Sequence, residues 1–98
     1  MHFVYIVRCA DGTLYTGYAR DPRTREAMHN AGRGARYTSG RRPVSLVYTE
    51  SYRSLGRALK REHALKRTTR QQKEALIRRW RSEARATKGF EKSALRSD

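Results

Sequence analysis

The chain has 98 residues, with 23 Lys+Arg against 9 Asp+Glu and a formal net charge of +14. That length holds one domain, which buries only about two-thirds of the surface its unfolded chain exposes. No apolar run approaches the ~18–20 residues that span a bilayer, and the stretch Phe3 to Val7 is too short for a signal-peptide core. A lone Cys9 makes no internal disulfide, so the expected protein is cytoplasmic, free of membrane and held by its core alone.

Phe3, Val4, Tyr5, Ile6 and Val7 are aromatic or β-branched, and the run from Thr13 to Tyr18 is of the same kind. Asp11 and Gly12 between them are a strong hairpin signal. Two antiparallel strands follow, about 3–9 and 13–19. Asp21 then supplies an N-cap and Pro22 a first helical position. The helix they open runs to about Ala31, with Thr24, Ala27, Met28 and Ala31 as its buried stripe, and Gly32 and Gly34 stop it.

Arg36 to Pro43 reads as a basic, glycine-containing loop, and Val44 to Tyr48 as a third strand. Helices are expected from about Ser54 to Thr68 and from about Arg70 to Arg85. The last carries Lys73, Leu76, Ile77, Trp80 and Ala84 at helical spacing. Beyond it the apolar period ends, which divides the chain into a domain at 1–85 and a basic, flexible tail at 86–98. The order β-β-α-β-α-α defines an α+β fold, a small, mainly antiparallel three-stranded sheet flanked by helices.

The charge is uneven. Residues 1–50 carry 8 basic and 4 acidic side chains, and residues 51–98 carry 15 and 5. Eighteen of the cations are Arg, whose planar fork matches phosphate geometry. A polyanion, most commonly nucleic acid, is the partner this implies. An anionic membrane surface or plain solubility explains the charge without explaining the preference for Arg.

Several positions carry chemistry. On the second helix the stripe Leu55, Ala58, Leu59, Leu65 is interrupted by Glu62, where the pattern asks for a hydrophobe. An unpaired carboxylate there is costly, so an arginine partner or a metal is needed, and the ion pair is the commoner solution. Arg25 and His29 stand four apart on one helix face. Together they suit a phosphate oxygen and a proton, or else a solvated charge and a capping histidine. Tyr5 and Tyr15 lie in paired strands, where tyrosines are usually packing residues. Gly17 inside a strand marks a bulge or a close approach. Arg36, Tyr37, Thr38, Arg41 and Arg42 interleave cations with an aromatic, as in a phosphate-contacting loop or a merely solvated one. Zinc-spaced Cys and His, a phosphate loop and a dinucleotide fingerprint are all missing from the sequence. The hairpin start argues against a helix-turn-helix reading of the last helix.

The ordered set resembles the GIY-YIG nuclease superfamily. Its first signature appears as Val4, Tyr5, Ile6 and its second as Tyr15, Thr16, Gly17. Asp21, Arg25, His29, Asn30, Tyr37, Thr38, Arg42, Pro43, Val47, Tyr48, Glu62, Leu65 and Lys66 follow in the family's order. Phe3 and Val4 stand in the first signature's Gly-Ile places, and Thr16 replaces the central isoleucine of the second. The resemblance covers about residues 3–77 and is greatest to small single-domain bacterial members.

The resemblance implies a metal-dependent phosphodiesterase that leaves a 3′-hydroxyl and a 5′-phosphate. On it, Tyr5 is the general base or orients the water, Tyr15 positions water or phosphate, and Arg25 binds a non-bridging oxygen. His29 assists Tyr5, and Glu62 holds one divalent cation, Mg²⁺ with Mn²⁺ as a substitute. Substrate binding falls to Gly17, Asn30, Arg36, Tyr37, Thr38, Arg41, Arg42 and Lys66. Nearby cations are expected to lower the pKa of Tyr5 toward neutrality. A shared site also demands a bulged, three-residue hairpin loop. A strict two-residue loop sets Tyr5 opposite Tyr18 and sends the two phenols to opposite faces.

The expected function is therefore cleavage of nucleic acid, DNA ahead of RNA, with a protein partner available to supply target selection. The rival readings are a non-catalytic nucleic-acid-binding module that retains the fold, and an accessory protein whose basic helices bind an acidic protein.

Overall fold

A computed structural model describes the backbone of residues 1–97 and the side chains of residues 1–84. Strand β1 (His2–Arg8) is the middle of a three-stranded sheet in the order β2-β1-β3, with β2 at Leu14–Ala19 and β3 at Ser45–Tyr52. Both pairings are antiparallel. The helices are α1 (Pro22–Asn30), a short α2 (Arg36–Ser39), α3 (Leu55–Lys66) and α4 (Arg70–Ser97). The architecture is the expected α+β one, with an added helical turn where a loop was expected at 36–43. α4 continues past the expected end near Arg85. That end was set by the loss of apolar period, and Ala-, Lys- and Arg-rich sequence carries helix propensity without one. The tail expected to be flexible over 86–98 lies outside the residues whose side chains are described.

β1 is apolar on both faces because both faces are covered. Val4, Tyr5, Ile6 and Val7 are all buried. On one face Val4 and Ile6 pack with Val47, Tyr48, Ala58 and Leu65 of α3, and Ile77 of α4. On the other, Tyr5 and Val7 pack with Cys9, Ala19 and Val44, and α1 covers this side. Each fully buried aliphatic side chain contributes about 1.5–3 kcal/mol. Arg8 of β1 donates twice to Glu74 of α4, at 2.8 Å each, which fixes α4 against the sheet.

The hairpin takes the bulged form. Cys9 N–H donates to Thr13 O at 2.8 Å and Gly12 N–H to Cys9 O at 2.9 Å. Ala10, Asp11 and Gly12 thus form a three-residue loop in which Gly12, at φ +85°, occupies the left-handed position. Tyr5 consequently pairs with Gly17 and Val7 with Tyr15, and both phenols project from one face.

Other expectations need correction. On α1 the stripe Thr24, Ala27, Met28, Ala31 is exposed, while Pro22 and His29 are buried and Arg25 and Glu26 half-buried. Small apolar residues on this helix yield to polar ones with defined partners: Glu26 accepts from Leu46 N–H at 2.6 Å. On α3 Ala58 and Leu65 are buried, but Leu55 and Leu59 are exposed, and Arg61 turns inward instead. Its guanidinium donates to Glu50 at 2.8 and 2.9 Å. β3 extends to Tyr52, beyond the expected end at Tyr48, because Thr49 to Tyr52 pair with Tyr5 to His2 of β1. The half-buried Glu50 also accepts from the hydroxyls of Tyr48 and Tyr52.

The Asp21 cap matches the sequence reading, and the Ser54 cap adds to it. Asp21 accepts from Arg23 and Thr24 N–H at the start of α1, and Ser54 accepts from Arg57 N–H at the start of α3. α4 adds a reciprocal capping box: Gln72 N–H donates to Thr69 Oγ1 at 3.1 Å and Thr69 N–H to Gln72 Oε1 at 3.0 Å.

Candidate active site

Register and helix packing bring Tyr5, Tyr15 and His29 together. The Tyr5 ring lies across Gly17: a Cβ at position 17 would meet the phenol oxygen at 2.5 Å. Only glycine admits that ring position, which is the close approach its place in a strand foretold. The Tyr5 hydroxyl is 2.7 Å from His29 Nε2, while Tyr15 meets His29 edge-on at 5.4 Å between ring centroids.

His29 is 1% exposed and is held from behind. Its Nδ1 lies 2.8 Å from Thr38 Oγ1 and 3.3 Å from Ala35 N, and the Thr38 hydroxyl donates to Ala35 O at 2.9 Å. The shorter contacts form one consistent chain: Tyr5 O–H donates to Nε2, Nδ1–H to Thr38 Oγ1, and Thr38 O–H to Ala35 O. The opposite tautomer would accept at Nδ1 from Ala35 N–H through the longer bond, so we assign Nε2 as the acceptor facing Tyr5. Burial, helped by the Arg25 charge, holds the His29 pKa below its ordinary 6.5, which keeps the imidazole neutral and able to take a proton.

Tyr5 departs from expectation. Its pKa is raised, not lowered: burial dominates, Tyr15 and Glu62 push the same way, and Arg25 alone opposes them. One cation cannot offset the desolvation of a buried phenolate. The resting side chain is a neutral phenol and a hydrogen-bond donor.

Arg25 is half-buried on α1, acts on both Tyr5 and His29 through its charge, and makes no ion pair among the described residues. Glu62 approaches from α3, on the opposite side of the sheet, close enough for its charge to act on Tyr5. It pairs with Lys66 at 3.4 Å. A carboxylate in this half-buried place was expected to need a cation, and in the protein alone a lysine supplies it. Among the described residues no group of three or more His, Cys, Asp or Glu side chains could hold a metal. This single-carboxylate donor set is unsuited to zinc but fits Mg²⁺, which takes one or two carboxylates and fills its octahedron with water and phosphate.

The remaining candidates separate. Tyr37 is exposed and stacks on Tyr15 at 5.9 Å between centroids. Arg41 lies over the Tyr37 ring at 4.0 Å and also pairs with Asp11. Arg36 is exposed at the start of α2. Three others make bonds within the frame, though Asn30 and Arg42 also line an open recess with Ser39, Gly40 and Pro43. Thr38 is fully buried behind His29. Asn30 uses both ends of its amide on Val44, accepting at 2.6 Å and donating at 3.0 Å. Arg42 donates to Ser39 O and Asn30 O at two helix ends.

Sequence reasoning missed Gly34. Of the two glycines taken as a helix stop, Gly32 has φ +81° and ends α1, whereas a Cβ on Gly34 would fall 2.0 Å from His29 Nδ1. A glycine just after a buried histidine was the available signal. It also missed Lys73, taken for part of a core stripe. Lys73 lines a recess of about 250 Å³ at the β2 edge together with Leu14, Tyr15, Thr16, Tyr37 and Lys66.

A β-hairpin carrying two tyrosines on one face, an Arg–His helix laid over them and a glutamate from a third helix define a small catalytic domain of the nuclease kind. The GIY-YIG catalytic-domain profile matches residues 1–75, and the chain belongs to that family. A UPF0213 protein of Staphylococcus aureus is 58% identical over 77 residues, covering 79% of this chain and 94% of the relative. The solution NMR structure of a UPF0213 protein from Bacillus halodurans is 43% identical, with a TM-score of 0.51 over 78% of this chain and 81% of that one. A second NMR structure, of an E. faecalis protein, is 40% identical with a TM-score of 0.55, covering 82% and 85%.

Proposed function

We propose that the chain is a metal-dependent endonuclease that hydrolyses phosphodiester bonds in DNA. The observation that carries this reading is the Tyr5 hydroxyl, laid over Gly17 and bonded at 2.7 Å to a neutral, buried histidine. A buried phenol needs some hydrogen-bond partner, but a structural role alone does not call for an imidazole nitrogen as that partner together with the unpaired Arg25, whose charge acts on both groups.

The raised pKa of Tyr5 shapes the mechanism. A free phenolate is not the base. The attacking water gives its proton to the Tyr5 oxygen as Tyr5 passes its own to His29 Nε2, so the phenol relays the proton without resting as an anion. The water oxygen bonds to phosphorus as the bond to the 3′ oxygen breaks; the leaving 3′ oxygen takes a proton from solvent and His29 returns its own to solvent, giving a 5′-phosphate and a 3′-hydroxyl. Arg25 donates to a non-bridging oxygen whose charge grows in the transition state. Tyr15 holds the water or phosphate against the site. Glu62 would hold one divalent cation, Mg²⁺ or Mn²⁺, once Lys66 releases it. That cation supplies neutralisation of the phosphate and the leaving oxygen.

The Glu62–Lys66 pair favours one second reading, a binding module in which lysine has permanently taken the metal's place. Incubation of labelled single-stranded, duplex and branched DNA with Mg²⁺ separates the two, comparing wild type with Tyr5→Phe. The nuclease reading predicts cleavage that falls on the order of 10²–10⁴-fold in the variant. Binding with no cleavage of any of these substrates supports the module instead.

A further inference from the structure

The recess beside β2 has its own chemistry. One wall is apolar and aromatic, made by Leu14, Tyr15 and Tyr37, and two ammonium groups, Lys66 and Lys73, face it from α3 and α4. Lys73 donates one hydrogen bond, to Thr68 O at 3.2 Å, and meets no carboxylate among the described residues. An ammonium has three donors, so two remain. The recess adjoins the candidate site at two points, since Tyr15 contacts His29 and Lys66 pairs with Glu62. Arg70 reaches Gly12 O at 3.0 Å and Arg41 reaches Asp11 at 3.1 Å, so this end of the hairpin is ringed by cations.

We propose that this recess seats one unpaired nucleotide of the substrate strand, next to the bond that is cut. Lys73 and Lys66 hold its phosphate, and the stacked Tyr15 and Tyr37 form the wall against its sugar and base. This rests on the nuclease reading and adds the substrate class to it. At about 250 Å³, just under the range of about 300–1,000 Å³ for drug-sized ligands, the recess has room for one nucleotide at most. A base in a duplex is covered on both faces by its neighbours and cannot turn toward an aromatic wall. An unstacked base can, and gains from doing so whatever its identity. Lys73 thereby becomes a substrate-binding residue contributed by α4.

The test is a salt titration of binding, in EDTA so that nothing is cut, using a labelled oligo-dT strand and a blunt duplex of equal length. Wild type is compared with Lys73→Gln, which keeps a polar N–H donor on a stem one atom shorter but loses the charge, and with Lys73→Arg, which keeps the charge. The single strand should bind wild type more tightly than the duplex. Lys73→Gln should flatten the log–log salt slope for the strand by about 0.7, leave the duplex slope unchanged, and be rescued by Lys73→Arg. Tyr37→Ala should weaken the strand roughly fivefold or more. An unchanged slope in Lys73→Gln, or an equal change on strand and duplex, overturns this proposal while wild-type cleavage leaves the nuclease reading standing. A wild type that neither binds nor cuts nucleic acid overturns both.

Discussion

Gly17→Ala adds one methyl group and sets it against the candidate proton relay. The new carbon would lie 2.5 Å from the Tyr5 phenol oxygen and 2.6 Å from Cζ, where ordinary contact begins at 3.4 Å. The Tyr5 ring is enclosed in the core, so its escape is through its polar tip, and the 2.7 Å bond to His29 is what gives way. A retreat of roughly 1 Å is enough to cost on the order of 10²-fold in rate. Stability changes less: overpacking costs about 1–3 kcal/mol, and alanine recovers about 0.5–1 kcal/mol relative to glycine in a strand. Single-turnover cleavage, with circular dichroism to check folding, measures the first effect apart from the second. The double variant Tyr5→Phe, Gly17→Ala makes the assignment: once the phenol oxygen is gone, the methyl should take almost nothing further from the rate. A folded Gly17→Ala that cuts at the wild-type rate, or losses that multiply in the double variant, would refute the reasoning.

Two more outcomes follow from the described contacts. Because the folded protein holds His29 below 6.5, the unfolded chain binds more protons as pH falls through that value, and stability declines with it. Thermal melts between about pH 7.5 and about 5.5, in a His2→Gln background because His2 is also held low, should show this decline, and His29→Gln should flatten it. A slope that persists in His29→Gln contradicts the assignment. Glu50→Gln strips Arg61 of its anion. With the Arg61 side chain 34% exposed, the loss should be about 2 kcal/mol, below the figure for a fully buried pair, and should lower Tm by about 10 °C. Cleavage at low temperature should be intact, since Arg61 pairs with Glu50 while Glu62, its neighbour on α3, pairs separately with Lys66.

The strands, the Asp21 cap and the element order were legible because local patterns decide them. So was the bulged hairpin, though only through its consequence that Tyr5 and Tyr15 share a face. The inner face of α1 was not legible. Hydrophobic period points to Met28 and Ala27, but the helix is turned by His29 and by Glu26 bonding Leu46, and polar burial leaves no periodic mark. Leu55 and Leu59 misled for the same reason, since Arg61 has a carboxylate to reach and they do not. Within the site, which residues come together was visible, while the division of labour was not. Thr38 looks like part of a substrate loop in one dimension and is buried behind His29, while Asn30 and Arg42 also bond to Val44 and the helix ends. The pKa of Tyr5 depends on a balance of burial and charge that only the packed structure supplies.

The central claim is that Glu62 serves a metal and not merely Lys66. The most direct test is single-turnover cleavage of labelled DNA across a Mg²⁺ titration, for wild type and Glu62→Gln, with EDTA as the blank. The account predicts metal-dependent cutting by wild type, abolished by EDTA, and a Glu62→Gln protein that folds and binds DNA but is slower on the order of 10²-fold or more. Cutting that survives both the substitution and the chelator would contradict it.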